Sequence, residues 1–194
     1  MHSAANFGAL SEKVKYAIDP ATSKFVLHVF AGGWLAVFAH NLDIAIQKYE
    51  GEIQLDPEAI DRSALTLRIE AASLSLISRA ADRDRVEIER IMQEQVLNSQ
   101  AFPEIIYESA HAKVSSMSAD RYWMALQGDL LLRDVRQPQS ISTAVTISNG
   151  RLRAVGEFSL LQTQFGIKPI SNFGGGLAVK DELKFNFDIM AQKS

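Results

Sequence analysis

The chain contains no cysteine. That absence excludes disulfide staples, thiolate metal sites and a cysteine nucleophile. No stretch approaches the roughly 20 apolar residues a membrane-spanning helix needs. Residues 1–20 hold no secretory apolar core either, because Ala4, Ala5, Phe7, Ala9 and Leu10 are too interrupted. The chain as it stands is therefore expected to be soluble and cytoplasmic, or periplasmic if a leader was removed before residue 1. Charge of one sign is also lacking. Twenty basic and 23 acidic residues leave a net charge of −3 without a long basic run, so nucleic acid is not an expected partner. His2, His28, His40 and His111 share no metal-ligand spacing, and no metal or cofactor is expected. No nucleophile elbow, phosphate loop or dinucleotide fingerprint occurs. Gly174-Gly175-Gly176 stands before a strand pattern rather than a helix, which argues against a phosphate cradle.

What the sequence does contain is alternation. Leu65, Leu67 and Ile69 alternate with polar residues, as do Ile141, Thr143, Val145 and Ile147, and Leu183, Phe185, Phe187 and Ile189. Alternating side chains put one row on each face of a sheet. Many such strands in one chain bury their apolar rows together in a sandwich or a closed barrel. A length of 194 residues suits a single domain that buries roughly 70% of its unfolded surface.

The pattern predicts strands near 14–18, 23–30, 41–47, 49–56 and 63–71. Further strands are predicted near 104–114, 122–133, 139–147, 152–161 and 182–189. Asp19-Pro20 and Gly32-Gly33 mark turns, and Asn149-Gly150 is the strongest hairpin signal. Helical period occurs once, at Ile88, Ile91, Met92 and Val96. Asp84 with Glu87 reads as a capping-box variant opening that helix. The acids Asp82, Asp84, Glu87 and Glu89 read as a solvated helix face, with a paired-carboxylate site as the alternative.

Several words, in order, resemble the YceI-like family. They are Tyr16-Ala-Ile-Asp19-Pro20 with Ser23, Asp82-Arg83-Asp84, Val96-Leu97, and Phe102-Pro103-Glu104-Ile105. Gly128-Asp-Leu-Leu-Leu-Arg133-Asp-Val135, Phe165-Gly166-Ile167 and Val179-Lys180-Asp181-Glu182 complete the series. The resemblance covers roughly residues 14–190, within a single domain of 14–192 preceded by a lead-in over 1–13. It implies an all-β fold: an eight-stranded antiparallel lipocalin-like barrel, with one α-helix at about residues 84–97 packed on or over it. Members of that family hold long apolar amphiphiles, polyisoprenoids above all, inside the barrel. Two places depart from the pattern. Ala36-Val37-Phe38-Ala39-His40-Asn41 replaces a run that often resembles Gly-Xaa-Phe. Asp134 stands where the family usually has glycine, at a position where a left-handed backbone is less comfortable for it.

The expected function is binding and carriage, or sequestration, of an amphiphilic lipid without covalent chemistry. An isoprenoid quinone or prenyl phosphate is the first expectation, and a fatty-acid-like lipid the next. Barrel-facing candidates are Phe25, Leu27 and Val29, then Leu65, Leu67 and Ile69, then Ile105 and Tyr107. Leu130, Leu132, Val145, Phe158, Phe185 and Phe187 complete the inner row. Such side chains fill a tight barrel as readily as they line a cavity; the resemblance implies a partly open one. His40 would meet a quinone oxygen or phosphate, or else a nearby carbonyl. Arg133 would pair with a diphosphate, with Asp134 or a neighbouring strand, or with solvent. Trp34 and Phe38 would cover the mouth or pack in the core. An enzyme using His40 with Arg133 or Tyr107, and an interaction module with a filled core, are the alternatives. His28 falls on the outward row. Outward Val26, Phe30 and Ile106 would supply a homodimer patch.

Overall fold

The structure is a computed structural model that describes residues 13–32, 41–173 and 177–194. The chain opens with β1 (Val14–Ile18), β2 (Lys24–Gly32), β3 (Leu42–Ile46) and β4 (Tyr49–Leu55). β5 (Ala64–Glu70) and β6 (Leu74–Leu76) precede the helix α1 (Asp82–Ile91), which widens into a π-type segment over Met92–Leu97. Four long strands follow: β7 (Glu104–Ser118), β8 (Arg121–Leu132), β9 (Val135–Ser148) and β10 (Arg151–Leu161). The short β11 (Ser171–Phe173) leads to β12 (Leu177–Lys193).

Pairing runs β1–β4–β5–β7–β8–β9–β10–β12 and returns to β1, closing an eight-stranded antiparallel barrel. β12 also pairs with β2, β2 with β3, and β3 with β6. Thus β1–β2, β3–β4 and β5–β6 each form one barrel strand broken once. The first break is built by Asp19, whose carboxylate accepts from Ala21 N and Thr22 Oγ1. Pro20 sits in the first turn of the short 3-10 segment there, where a missing N–H costs nothing. Ser23 Oγ donates to Asp19 O and accepts from Met190 N, so the bend stays fastened to β12.

Two of the tight hairpins are left-handed at both central residues: Asn149 (φ 51°) with Gly150 (φ 72°), and Arg133 (φ 52°) with Asp134 (φ 59°). Such turns match the twist of the strands they join. Asp134 thus adopts the left-handed backbone itself.

Several expected bounds shift. β7, β9 and β12 are longer than the alternation suggests, and β6 and β11 were not anticipated. β9 begins at Val135 and runs through Pro138. Its register with β10 starts only at Ser142↔Glu157, so Pro138 lies where the β10 side of β9 is unpaired and no ladder N–H is required there. The helix begins at Asp82, and its cap residue Ala81 makes no side-chain cap bond. The capping box read from Asp84 and Glu87 is therefore not formed. Asp84 lies inside the first turn, where its charge still favours the helix dipole.

The interior divides into two clusters. The lower one packs Tyr16, Leu55, Ala112, Met124, Val145, Leu152 and Ala191 into a solid plug. The upper one includes Phe25, Leu27, Ile69, Tyr107, Leu130, Phe165 and Ile167, and surrounds open space.

Candidate functional site: an apolar lumen closed at one end

A cavity of about 580 Å³ occupies the upper barrel. Met124, Val145 and Leu152 of the plug form its floor. Ile88, Ile91 and Met92 of the helical segment line its other end, together with Phe30, Ile170 and Val179. The wall is aromatic on one side. Phe158 and Phe185 stack with centroids 4.7 Å apart, and Phe25 meets Phe185 and Phe187 edge-on at 6.1 and 6.2 Å.

Two glycines make room for rings. A Cβ at Gly128 would meet Glu108 O, Ser109 Cβ at 2.8 Å and Tyr107 Cζ at 2.9 Å. One at Gly156 would meet Ser142 O and Phe187 Cζ at 2.7 Å. The Tyr107 and Phe187 rings thus lie against bare backbone, and the lumen beside them stays open.

Polar groups in the lining are few. The Tyr107 hydroxyl donates to Gln139 O at 3.1 Å. Burial pushes its pKa up to about 12, so it is a neutral phenol at ordinary pH. Thr143 Oγ1 donates to Val155 O, and Gln162 Nε2 to Lys180 O. Ser63, near the floor, is buried with its hydroxyl unpartnered. Among the described residues, Arg79 is the one cation and Asp84 the one anion in the lining.

The upper end is held open by two gaps in the ladder. β9 and β10 separate above Ser142, and a short 3-10 turn at Gln162–Phe165 bridges them. Gln137 Nε2 donates to Gln164 O, and Asp181 accepts from Thr163 N and Oγ1. Gly166 at φ 67° then folds the chain so that Phe165 and Ile167 are both buried. The second gap lies beyond β6, whose far edge meets the helix instead of a strand. Glu89 accepts from Leu76 N at 2.9 Å, and Arg85 donates to Leu76 O and Ser78 O. Gln93 donates to Ala71 O and Leu74 O. Residues 85, 89 and 93 lie on one helix face, so that face stands in for the missing strand.

Every described apolar residue expected to face the barrel lines the cavity: Phe25, Leu27, Val29, Leu65, Leu67 and Ile69, with Ile105, Tyr107, Leu130 and Leu132, and with Val145, Phe158, Phe185 and Phe187. Trp34, Phe38, His40 and the Gly174–Gly176 run lie outside the described residues. Arg133 is not in the lining. It donates to Val96 O at 3.0 Å and sits over the Phe102 ring at 5.9 Å, so it fastens the end of the helical segment. The solvated-face reading of the helix acids holds for Glu87, ion-paired with Arg90. It holds also for Asp82 and Asp84, both exposed, Asp84 at the cavity rim, and fails for Glu89, which is half-buried and bonds the β6 edge. Phe30 also faces the cavity, and β3 and the β5–β6 strand separate Val26 from Ile106, so the three do not form one outward patch. His28 lies on the outer row, with Nδ1 2.7 Å from Asp43 Oδ1. Sequence reasoning missed Arg79, Asp84, Ile88, Ile91 and Ile167. The helical spacing of Ile88 and Ile91 signalled a buried face, but not that the face covers a cavity.

A hollow, up-and-down antiparallel barrel of eight strands, packed below and covered by a helix above, is a lipocalin-like barrel. The chain belongs to the YceI-like domain family, whose sequence profile matches residues 16–191. Solved structures share the fold. BcnA of Burkholderia cenocepacia is 14% identical, with a TM-score of 0.69 over 90% of this chain and 99% of that one. A polyisoprenoid binding domain from Saccharophagus degradans implicated in plant cell wall breakdown is 9% identical, with a TM-score of 0.70 over 94% and 100%. The Campylobacter jejuni YCEI protein is 12% identical, with a TM-score of 0.61 over 80% and 87%. No curated protein matches the sequence. Among the described residues no helix is long and apolar enough to cross a membrane.

Proposed function

We propose that this protein binds an amphiphilic lipid of the polyisoprenoid class and carries or sequesters it without covalent chemistry. The tail lies in the lumen and the head at the helix-covered rim. The observation that carries the reading is the 580 Å³ cavity with an almost wholly apolar lining. Transfer of a hydrocarbon chain into it is driven by area, at roughly 25 cal/mol per Å², and needs no polar contact along the tail. At the rim, Arg79 offers donors to a quinone carbonyl or a phosphate oxygen. A non-catalytic role fits the polar inventory. The Tyr107 hydroxyl is engaged with a backbone carbonyl, and Arg133 with another. The polyisoprenoid-binding domain of the same fold supports the ligand class.

Organic extraction of gently purified protein, followed by lipid mass spectrometry, tests the proposal. A stoichiometric isoprenoid is expected. An empty extract, combined with no uptake of added prenols by native mass spectrometry, would sink it.

A further inference from the structure

The lumen has a floor, and the floor sets a length. The lower cluster packs the barrel below Met124, Val145 and Leu152, which border the cavity. Just above it on the inner row of β10 come Ala154, Gly156 and Phe158. Ala154 packs against both clusters, opposite Val145 on β9 and Ile189 on β12. It is the small side chain at the neck between plug and cavity. From Leu152 to Leu160, both in the lining, a strand rising ~3.3 Å per residue and tilted as barrel strands are spans about 20 Å of depth. Over that depth the volume accommodates one extended hydrocarbon chain.

We infer that the barrel measures its cargo, enclosing a tail of about four isoprene units and leaving any longer remainder outside the rim, since one carbon-sized group takes about the 30 Å³ share of a water molecule and the 580 Å³ lumen holds about 20 of them. This rests on the lipid-binding reading. Each unit that enters gains apolar contact until the tip meets the plug. Units beyond that stay in water and add no contact with the lumen.

The test is competitive binding of geraniol, farnesol, geranylgeraniol and solanesol to delipidated full-length protein, read by native mass spectrometry. Affinity is expected to rise at least about tenfold per added unit up to geranylgeraniol. Solanesol is expected to bind within about threefold of geranylgeraniol, because its extra units find no further wall. Ala154→Leu adds bulk at the neck without removing any plug residue. It is expected to weaken geranylgeraniol about tenfold or more while sparing geraniol, moving the break to a shorter tail. Met124→Ala lowers the floor and is expected to move the break to a longer tail, so the proposal stands or falls even if one variant folds poorly. An affinity still rising tenfold from geranylgeraniol to solanesol, or a break that neither variant moves, overturns this inference alone. Uptake of none of the prenols by the unaltered protein overturns the lipid-binding reading and this inference with it.

Discussion

Glycine at Gly128 is a matter of space rather than of backbone conformation. Its missing Cβ leaves room for the Tyr107 ring against the sheet, with Glu108 O directly behind. Because one of the obstructing atoms is backbone, relief by a side-chain rotation is not available. Gly128→Ala is therefore expected to destabilise the fold by about 1–3 kcal/mol, measured as a lower chemical-denaturation midpoint. A midpoint equal to the unaltered protein would show that β7 and β8 separate at no cost. Residues of the family-like words also bond within those words and beyond them. Asp19, Pro20 and Ser23 build the bend between β1 and β2. Asp181, within one word, accepts from Thr163, just ahead of another, across the rim. The Asp19 bonds are local, but the Ser23–Met190 and Thr163–Asp181 bonds are not announced in the sequence, because each spans a fold-dependent distance.

The helical segment behaves as a substitute strand. Its apolar residues Ile88, Ile91 and Met92 cover the cavity, while Arg85, Glu89 and Gln93 satisfy the open edge of β6. The apolar stripe was legible from spacing alone. Of the polar stripe the sequence singles out only Glu89, as one of a solvated face of acids, because charged residues at helical spacing usually are solvated. Only the short β6, which no alternation revealed, turns Glu89 inward. Removing that carboxylate leaves the Leu76 amide without its partner, at a cost of about 1–3 kcal/mol. Glu89→Ala is expected to speed hydrogen exchange at Leu76 and along α1 while leaving the β8–β9 amides protected. Unchanged exchange at Leu76 would show that the helix is held by its apolar face alone. Arg133 carries a parallel lesson. An arginine ending a strand of leucines leaves a ligand contact, an ion pair or solvent open; the left-handed turn at Arg133 and Asp134 directs it instead to the end of the helical segment.

The whole barrel joins a packed plug to a container, and its stability carries a signature of buried phenols. Burial raises the pKa of Tyr107 from its ordinary 10.0 to about 12 and raises that of Tyr49 as well. The folded state therefore holds these protons more tightly than the unfolded chain. Below pH 10 this contribution is fully present. It is lost as pH rises from about 10, where the unfolded phenol ionises, through about 12, where the folded Tyr107 does. Unfolding free energy is expected to fall by on the order of 2 kcal/mol across that window, and more gently in Tyr107→Phe. Denaturation midpoints taken at intervals over the alkaline range would check this. Identical slopes in the two proteins would remove Tyr107 as the cause. Tyr49 titrates in the same direction, so the variant keeps part of the slope.

Period-two alternation was enough to establish that the chain is a sheet with one apolar row, because strand side chains point to fixed faces whatever surrounds them. It also sufficed to choose the inner residues on seven strand segments, from Phe25 to Phe187. Whether those residues fill the barrel or line a space depends on distances between strands that are remote in sequence. The answer lies in the Gly128 and Gly156 contacts, in the lower cluster that stops the lumen, and in the splayed rim where β9 leaves β10 and β6 meets a helix. The rim charges Arg79 and Asp84 stand next to the helix start as ordinary polar residues in the chain. They become part of a site because the helix, docked on the edge of β6, sets them at the open end of the lumen.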